Sequence, residues 1–147
     1  MKISDFLSPE AVLINIRAAD KQLLLQDLAR RIGAIVGLPG DRIASELLKR
    51  EELGSTGMGA GVAIPHARLQ ELKAPVGLLA RIKPPIKFDA IDGQPVDLVF
   101  ILLLPTAAEG EQLGALARVA RKLRLADDLT KIRRAKSTSE LYAALTT

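Results

Sequence analysis

His66 is the single histidine of the chain. It follows Pro65 at the end of a short apolar run, Val62-Ala63-Ile64. The proline biases the residue before it to extended backbone, so the imidazole emerges from a stiff segment. A neutral imidazole offers a lone pair near pH 7. It can attack phosphorus when one ring nitrogen is free and the other is tied to a carbonyl that sets the tautomer. Upstream lies Gly54-Ser55-Thr56-Gly57-Met58-Gly59-Ala60-Gly61, with glycine at four of its eight positions. It reads as a loop with unusual backbone demands, bare amides and two hydroxyls, Ser55 and Thr56. Such amides can form an anion nest, or the segment can be a tight helix-to-strand connection; the spacing alone leaves both open. No Lys-Ser or Lys-Thr follows the glycines, so it is not a nucleoside-triphosphate loop, and the dinucleotide-binding spacing also fails. Arg50 stands just before the loop and Arg68 two residues beyond the histidine. An arginine fork suits phosphate oxygens, and a cation at a helix C-terminus is favourable in its own right.

Other groups are less pointed. Asp89, Asp92 and Asp97 surround a turn, where aspartate serves backbone capping more often than metal binding or acid–base work. The last third is basic, with Arg118, Arg121, Lys122, Arg124, Lys131, Arg133, Arg134 and Lys136. It reads as the solvated face of helices, with a nucleic-acid patch or a docking surface for an acidic protein as alternatives.

Composition excludes several classes. The chain has 0 Cys and 1 His. That removes disulfides, cysteine-ligated metals, a thiol nucleophile and any multi-histidine metal site. No metal or cofactor is expected. Aromatic residues are 3% with no Trp, which leaves little for stacking on single-stranded nucleic acid. The net charge of +4 permits an anionic partner without demanding one. The longest apolar run, Leu98–Leu104, is far short of the ~20 residues a membrane helix needs. The first residues lack the apolar core of a signal peptide. The expectation is a cytoplasmic protein without membrane insertion, its 147 residues forming a single domain, 1–147.

The elements that position these groups follow from periodicity. Val12–Ile16 is a β-type run. Asp20 is placed to cap a helix whose apolar face is Leu24, Leu25, Leu28, Ile32, Ile35 and Val36, with Gly37 and Pro39 ending it. Asp41 to Leu53 reads as a second helix with Gly54 just beyond it. Val62–Ile64 is a strand ended by Pro65-His66. Val76–Ile82 and Val96–Leu104 are the two best strands, and the second is apolar on both faces. Pro84-Pro85 and Asp92-Gly93-Gln94-Pro95 read as turns around them. From Glu109 the chain turns helical, with Leu113, Leu116, Ala117, Val119, Ala120 and Leu123 inward. A short helix starts at Asp127 or Asp128, and Ser137 with Glu140 forms a capping box for the last. This order predicts an α/β fold, a mixed sheet with helices on both faces.

The segment Arg50-Glu51 through Gly54-Ser55-Thr56-Gly57-Met58-Gly59 to Ile64-Pro65-His66 resembles the phosphorylation motif of bacterial phosphotransferase-system enzyme IIA proteins of the mannitol/fructose type. The Gly-Ser-Thr-Gly form is similar to their nitrogen-regulatory branch. Two more blocks agree, Phe88–Phe100 running on to Leu104-Pro105, and Arg133-Arg134-Ala135 to Glu140-Leu141-Tyr142. The resemblance spans roughly residues 5–145 and implies an α/β sandwich with a mixed central sheet. It implies that His66 accepts a phosphoryl group on Nε2 from a histidine phosphocarrier protein, HPr or its nitrogen-branch relative. Arg50 is then expected near that group, with Ser55, Thr56, Gly57, Gly59 and Gly61 as the phosphate-binding loop. Two positions depart from the pattern. Ala67 replaces the usual glycine after the histidine. Gln112 stands where many members carry a second histidine, and a glutamine can donate a hydrogen bond but cannot carry a proton charge. That departure favours a regulatory phosphocarrier, with potassium-transport or sensor-kinase proteins as targets. The alternatives are a sugar-specific IIA passing phosphate to a IIB domain, and a non-enzymatic module whose basic tail meets nucleic acid.

Overall fold

The structure is a computed structural model that describes residues 1–147. Strand β1 (Val12–Ile16) leads to helices α1 (Lys21–Val36) and α2 (Gly40–Glu52). Next come β2 (Gly57–Gly59), β3 (Val62–Ala63), β4 (His66–Leu69), β5 (Val76–Ile86) and β6 (Val96–Pro105). Helices α3 (Gly114–Lys122), α4 (Ala126–Arg134) and α5 (Thr138–Thr146) complete the chain. Asp20 caps α1 by accepting from the Leu23 amide at 2.8 Å, and Gly37 ends it in the left-handed region at φ +75°.

The sheet is mixed, as the sequence predicts. β5 lies antiparallel to β6 and parallel to β1. Along its other edge β6 pairs in parallel first with β3 and then with β4. Side chains of a strand alternate between faces, yet Leu98 through Leu104 are all buried. Both faces of β6 are therefore covered. α2 packs on β4, α1 on β5 and α5 on β1. Each fully buried leucine or isoleucine here contributes roughly 1.5–3 kcal/mol.

Several sequence expectations shift. The strand does not stop at Pro65-His66. It breaks for Ile64 and Pro65 and resumes at His66, pairing His66 with Leu102 and Leu69 with Pro105. Proline interrupts a ladder because it has no N–H, but β6 is long enough to recruit the chain again. Pro84-Pro85 is not a turn. β5 runs through both prolines to Ile86, and they sit exposed where its register with β6 is irregular. Leu113 and Ala117 are exposed, because α3 proper begins at Gly114 after a single 3-10 turn and turns Ala115, Val119 and Leu123 inward. Ser137 accepts from the Glu140 amide, but the Glu140 carboxylate reaches the Lys136 amide and leaves the box half made.

Candidate functional site

His66 opens β4, and the break before it sets its ring. Ile64 is left without a following N–H donor at Pro65, and its carbonyl lies 2.8 Å from His66 Nδ1. A carbonyl only accepts, so Nδ1 carries the proton and Nε2 keeps the lone pair. Nε2 makes no hydrogen bond within the protein, and no buried side-chain nitrogen or oxygen lacks a partner. Nε2 is therefore open to solvent. Ala67 next to it is buried, paired with Leu103 and regular in backbone. The position has no need of glycine.

Packing of α2 on β4 brings Arg50 to the histidine. Both line one shallow depression of about 380 Å³, with Glu46, Lys49, Leu53, Ala67 and Arg68. Arg50 sits in the last turn of α2, where its charge suits the helix dipole. Its Nη1 donates to the Gly54 carbonyl at 2.7 Å, which ties the helix end to the loop.

The loop is built inward. Glu51 is its hub, with a side chain only 5% exposed. Its carboxylate accepts from the Thr56 amide at 3.1 Å and from the Thr56 hydroxyl, and pairs with Lys21 at 2.7 Å. The same ammonium donates to the Phe88 carbonyl and stands over the Phe88 ring. Ser55 donates to the Phe88 carbonyl at 2.7 Å and accepts from the Gly57 amide at 3.0 Å. Both hydroxyl protons and the Gly57 N–H are thus engaged inside the protein. Gly57 itself is packed so closely on Ala90 that a Cβ would stand 2.7 Å from the alanine methyl.

The far end of the segment is not an open loop. β2 and β3 form a hairpin whose two turn residues, Ala60 and Gly61, both have positive φ, +56° and +81°. That is the twist a two-residue hairpin needs. An alanine there is strained, and the structure holds it at both ends. Asp92 accepts the Ala60 N–H at 2.9 Å, and Arg133 donates to the Ala60 carbonyl while pairing with Asp97 at 2.8 Å. Gly59 faces Asp92, and Gly61 faces Asp97 and Arg133. Arg133 is therefore a cross-link between α4 and the hairpin, not part of a solvated basic face. Neither this pair nor the Lys21–Glu51–Thr56 cluster was legible in the sequence. Their members lie far apart along the chain, and isolated charged residues carry no spacing signal. Gln112 closes the 3-10 turn before α3 and donates to the Lys73 carbonyl at 3.2 Å. It is not among the residues lining the His66 depression. The described residues contain no cluster suited to a metal ion, and no helix is long and apolar enough to cross a membrane.

The Asp92 contacts have a pH signature. Hydrogen bonds from the Ala60 and Gln94 amides favour the carboxylate and lower its pKa from the ordinary aspartate value. A depressed native pKa stabilises the fold above the unfolded-state value, and that contribution is lost as pH falls through the native value. In an NMR titration Asp92 should protonate at lower pH than a free aspartate, with the Ala60 amide shift following the same midpoint. An ordinary midpoint would mean that Asp92 does not clamp the hairpin.

Comparison with known proteins identifies the family. The family model for the phosphoenolpyruvate-dependent sugar phosphotransferase system, EIIA 2, matches residues 5–147. A nitrogen regulatory protein of Bradyrhizobium diazoefficiens is 43% identical over 145 residues, 99% of this chain and 95% of the relative. The crystal structure of nitrogen regulatory protein IIA-Ntr from Neisseria meningitidis superposes with a TM-score of 0.92 at 35% identity, covering 98% of this chain and 99% of that one. IIA mannitol from Escherichia coli shares the fold, with a TM-score of 0.75 at 17% identity over 94% and 97% of the two chains. The chain therefore belongs to the EIIA 2 family of the phosphoenolpyruvate-dependent sugar phosphotransferase system, among relatives named nitrogen regulatory proteins.

Proposed function

We propose that the protein is a regulatory phosphocarrier that accepts a phosphoryl group on His66 Nε2 from a phosphohistidine carrier of the HPr type. One observation carries the reading: Nδ1 is committed to the Ile64 carbonyl, which leaves the Nε2 lone pair free at a depression shared with Arg50. Nε2 attacks phosphorus as the donor N–P bond breaks, and that bond pair leaves with the donor nitrogen. The His66 ring keeps its proton on Nδ1, which goes on donating to the Ile64 carbonyl, so the new imidazolium carries the phosphoryl group without needing a base. Arg50 is placed to stabilise charge on the equatorial oxygens. Ser55, Thr56 and Gly57 act as builders of the loop that holds Arg50 through Gly54, since their hydroxyls and the Gly57 amide face inward. Gly59 and Gly61 shape the hairpin.

Phosphorylation adds about two negative charges beside Arg50 and the exposed Leu53. A partner reading this face meets two different surfaces in the two states. The relatives named nitrogen regulatory proteins support regulation, with potassium-transport or sensor-kinase proteins as candidate targets, and Gln112 in the second-histidine position points the same way. The chain should gain one acid-labile phosphate when mixed with enzyme I, phosphoenolpyruvate and the phosphocarrier, read as a shift in intact mass. The sugar-transport reading would be favoured instead if a fructose- or mannitol-type IIB domain rapidly discharged the labelled protein.

A further inference from the structure

We propose that Arg68 is a second phosphoryl-binding cation of this site, standing with Arg50 to hold the oxygens of phosphorylated His66. This rests on the reading of His66 as the acceptor. His66 and Arg68 are two apart on β4, so their side chains leave the same face of the strand. Their neighbours Ala67 and Leu69 turn inward, while Arg68 is exposed, and both outward residues line the one depression.

The charges around Arg68 leave it uncompensated. Glu46, in the same depression, is held by Arg42 at 3.0 Å and by Lys49 at 3.4 Å. Glu71, further along the chain, is held by Arg42 at 3.1 Å. Arg68 has no carboxylate partner, and the one hydrogen bond of its side chain is a long 3.5 Å approach of Nη1 to the Thr106 carbonyl. A guanidinium has five N–H donors. Nearly all of them are free, on the same strand face as the attacking nitrogen. Arg50 differs in that one of its nitrogens is already committed to Gly54. The two arginines thus divide the work: Arg50 joins the phosphoryl group to the loop, and Arg68 offers an open fork suited to two oxygens at once.

The experiment compares wild type, Arg68→Gln, Arg68→Lys and Lys49→Gln. Each is phosphorylated through the phosphocarrier, and the bound phosphate is followed by 31P NMR across pH. Arg68→Gln is expected to accept phosphate about tenfold more slowly. It should also raise the pH at which the bound phosphoryl group takes up its next proton by about one unit, since a nearby cation favours the dianion. Arg68→Lys should keep most of the titration shift and recover only part of the rate, because an ammonium lacks the fork. Lys49→Gln removes the same charge from a cation already paired with Glu46, and should move neither readout appreciably. An Arg68→Gln protein with wild-type rate and wild-type titration overturns the proposal. Equal effects from Lys49→Gln and Arg68→Gln overturn it too, since they would show a general field and no specific clamp. If wild type takes no phosphate, the acceptor reading itself fails, and this inference fails with it.

Discussion

Replacing His66 by alanine is expected to abolish phosphoryl acceptance altogether, with no shift in intact mass under conditions that label the wild type. No second imidazole and no thiol is available to stand in. There is no cysteine and no second histidine, and the hydroxyls of Ser55 and Thr56 are bonded inward, to Phe88 and Glu51. The loss should be chemical and not structural. His66 is only part-buried at the mouth of a shallow depression, and its one hydrogen bond is to Ile64 two residues away. Thermal stability should therefore change by about 1 kcal/mol or less. Arg50→Gln should slow labelling without abolishing it, because it removes stabilisation of charge and leaves the nucleophile. A His66→Ala protein that still gained acid-labile phosphate would refute the assignment of the acceptor.

The second large effect is expected at Glu51. Its carboxylate is buried and serves three partners: Lys21, the Thr56 amide and the Thr56 hydroxyl. Substitution by alanine leaves a largely buried ammonium and two polar groups of Thr56 without their acceptor. Breaking such a pair from one side costs about 3–5 kcal/mol, much more than losing an exposed ion pair. Some of that cost will be relieved, since Lys21 is partly exposed and keeps the Phe88 carbonyl. A loss of about 3 kcal/mol in urea unfolding is the expected result. Glu51→Gln should cost less, because an amide oxygen can still accept from Thr56. Both variants should also slow phosphorylation, since the 54–57 segment that anchors Arg50 through the Gly54 carbonyl loses its attachment to α1 and α2. Stability within about 0.5 kcal/mol of wild type for Glu51→Ala would mean that the network contributes nothing to holding the loop.

The sequence by itself determined much of the fold. The capped amphipathic pattern from Asp20 to Gly37 and the all-apolar run Leu98–Leu104 are local signals. They place α1 and the doubly covered β6 without reference to the rest of the chain. It also narrowed the candidate acceptor to His66, because a lone histidine behind a proline and a glycine-rich segment leaves few alternatives. Tertiary structure decided what local patterns cannot express. Whether Pro65 ends a strand depends on the free edge of β6 beyond it, and whether Pro84 and Pro85 make a turn depends on the irregular β5–β6 register that accommodates them. The hydrogen bonds of Ser55 and Thr56 depend on Phe88 and Glu51, which arrive from other elements and draw both hydroxyls inward. The roles of Glu51 and Arg133 are likewise pairings across the fold. A charge becomes a cross-link only when packing desolvates it and supplies its partner, and packing is a property of the assembled elements and of no single stretch of sequence.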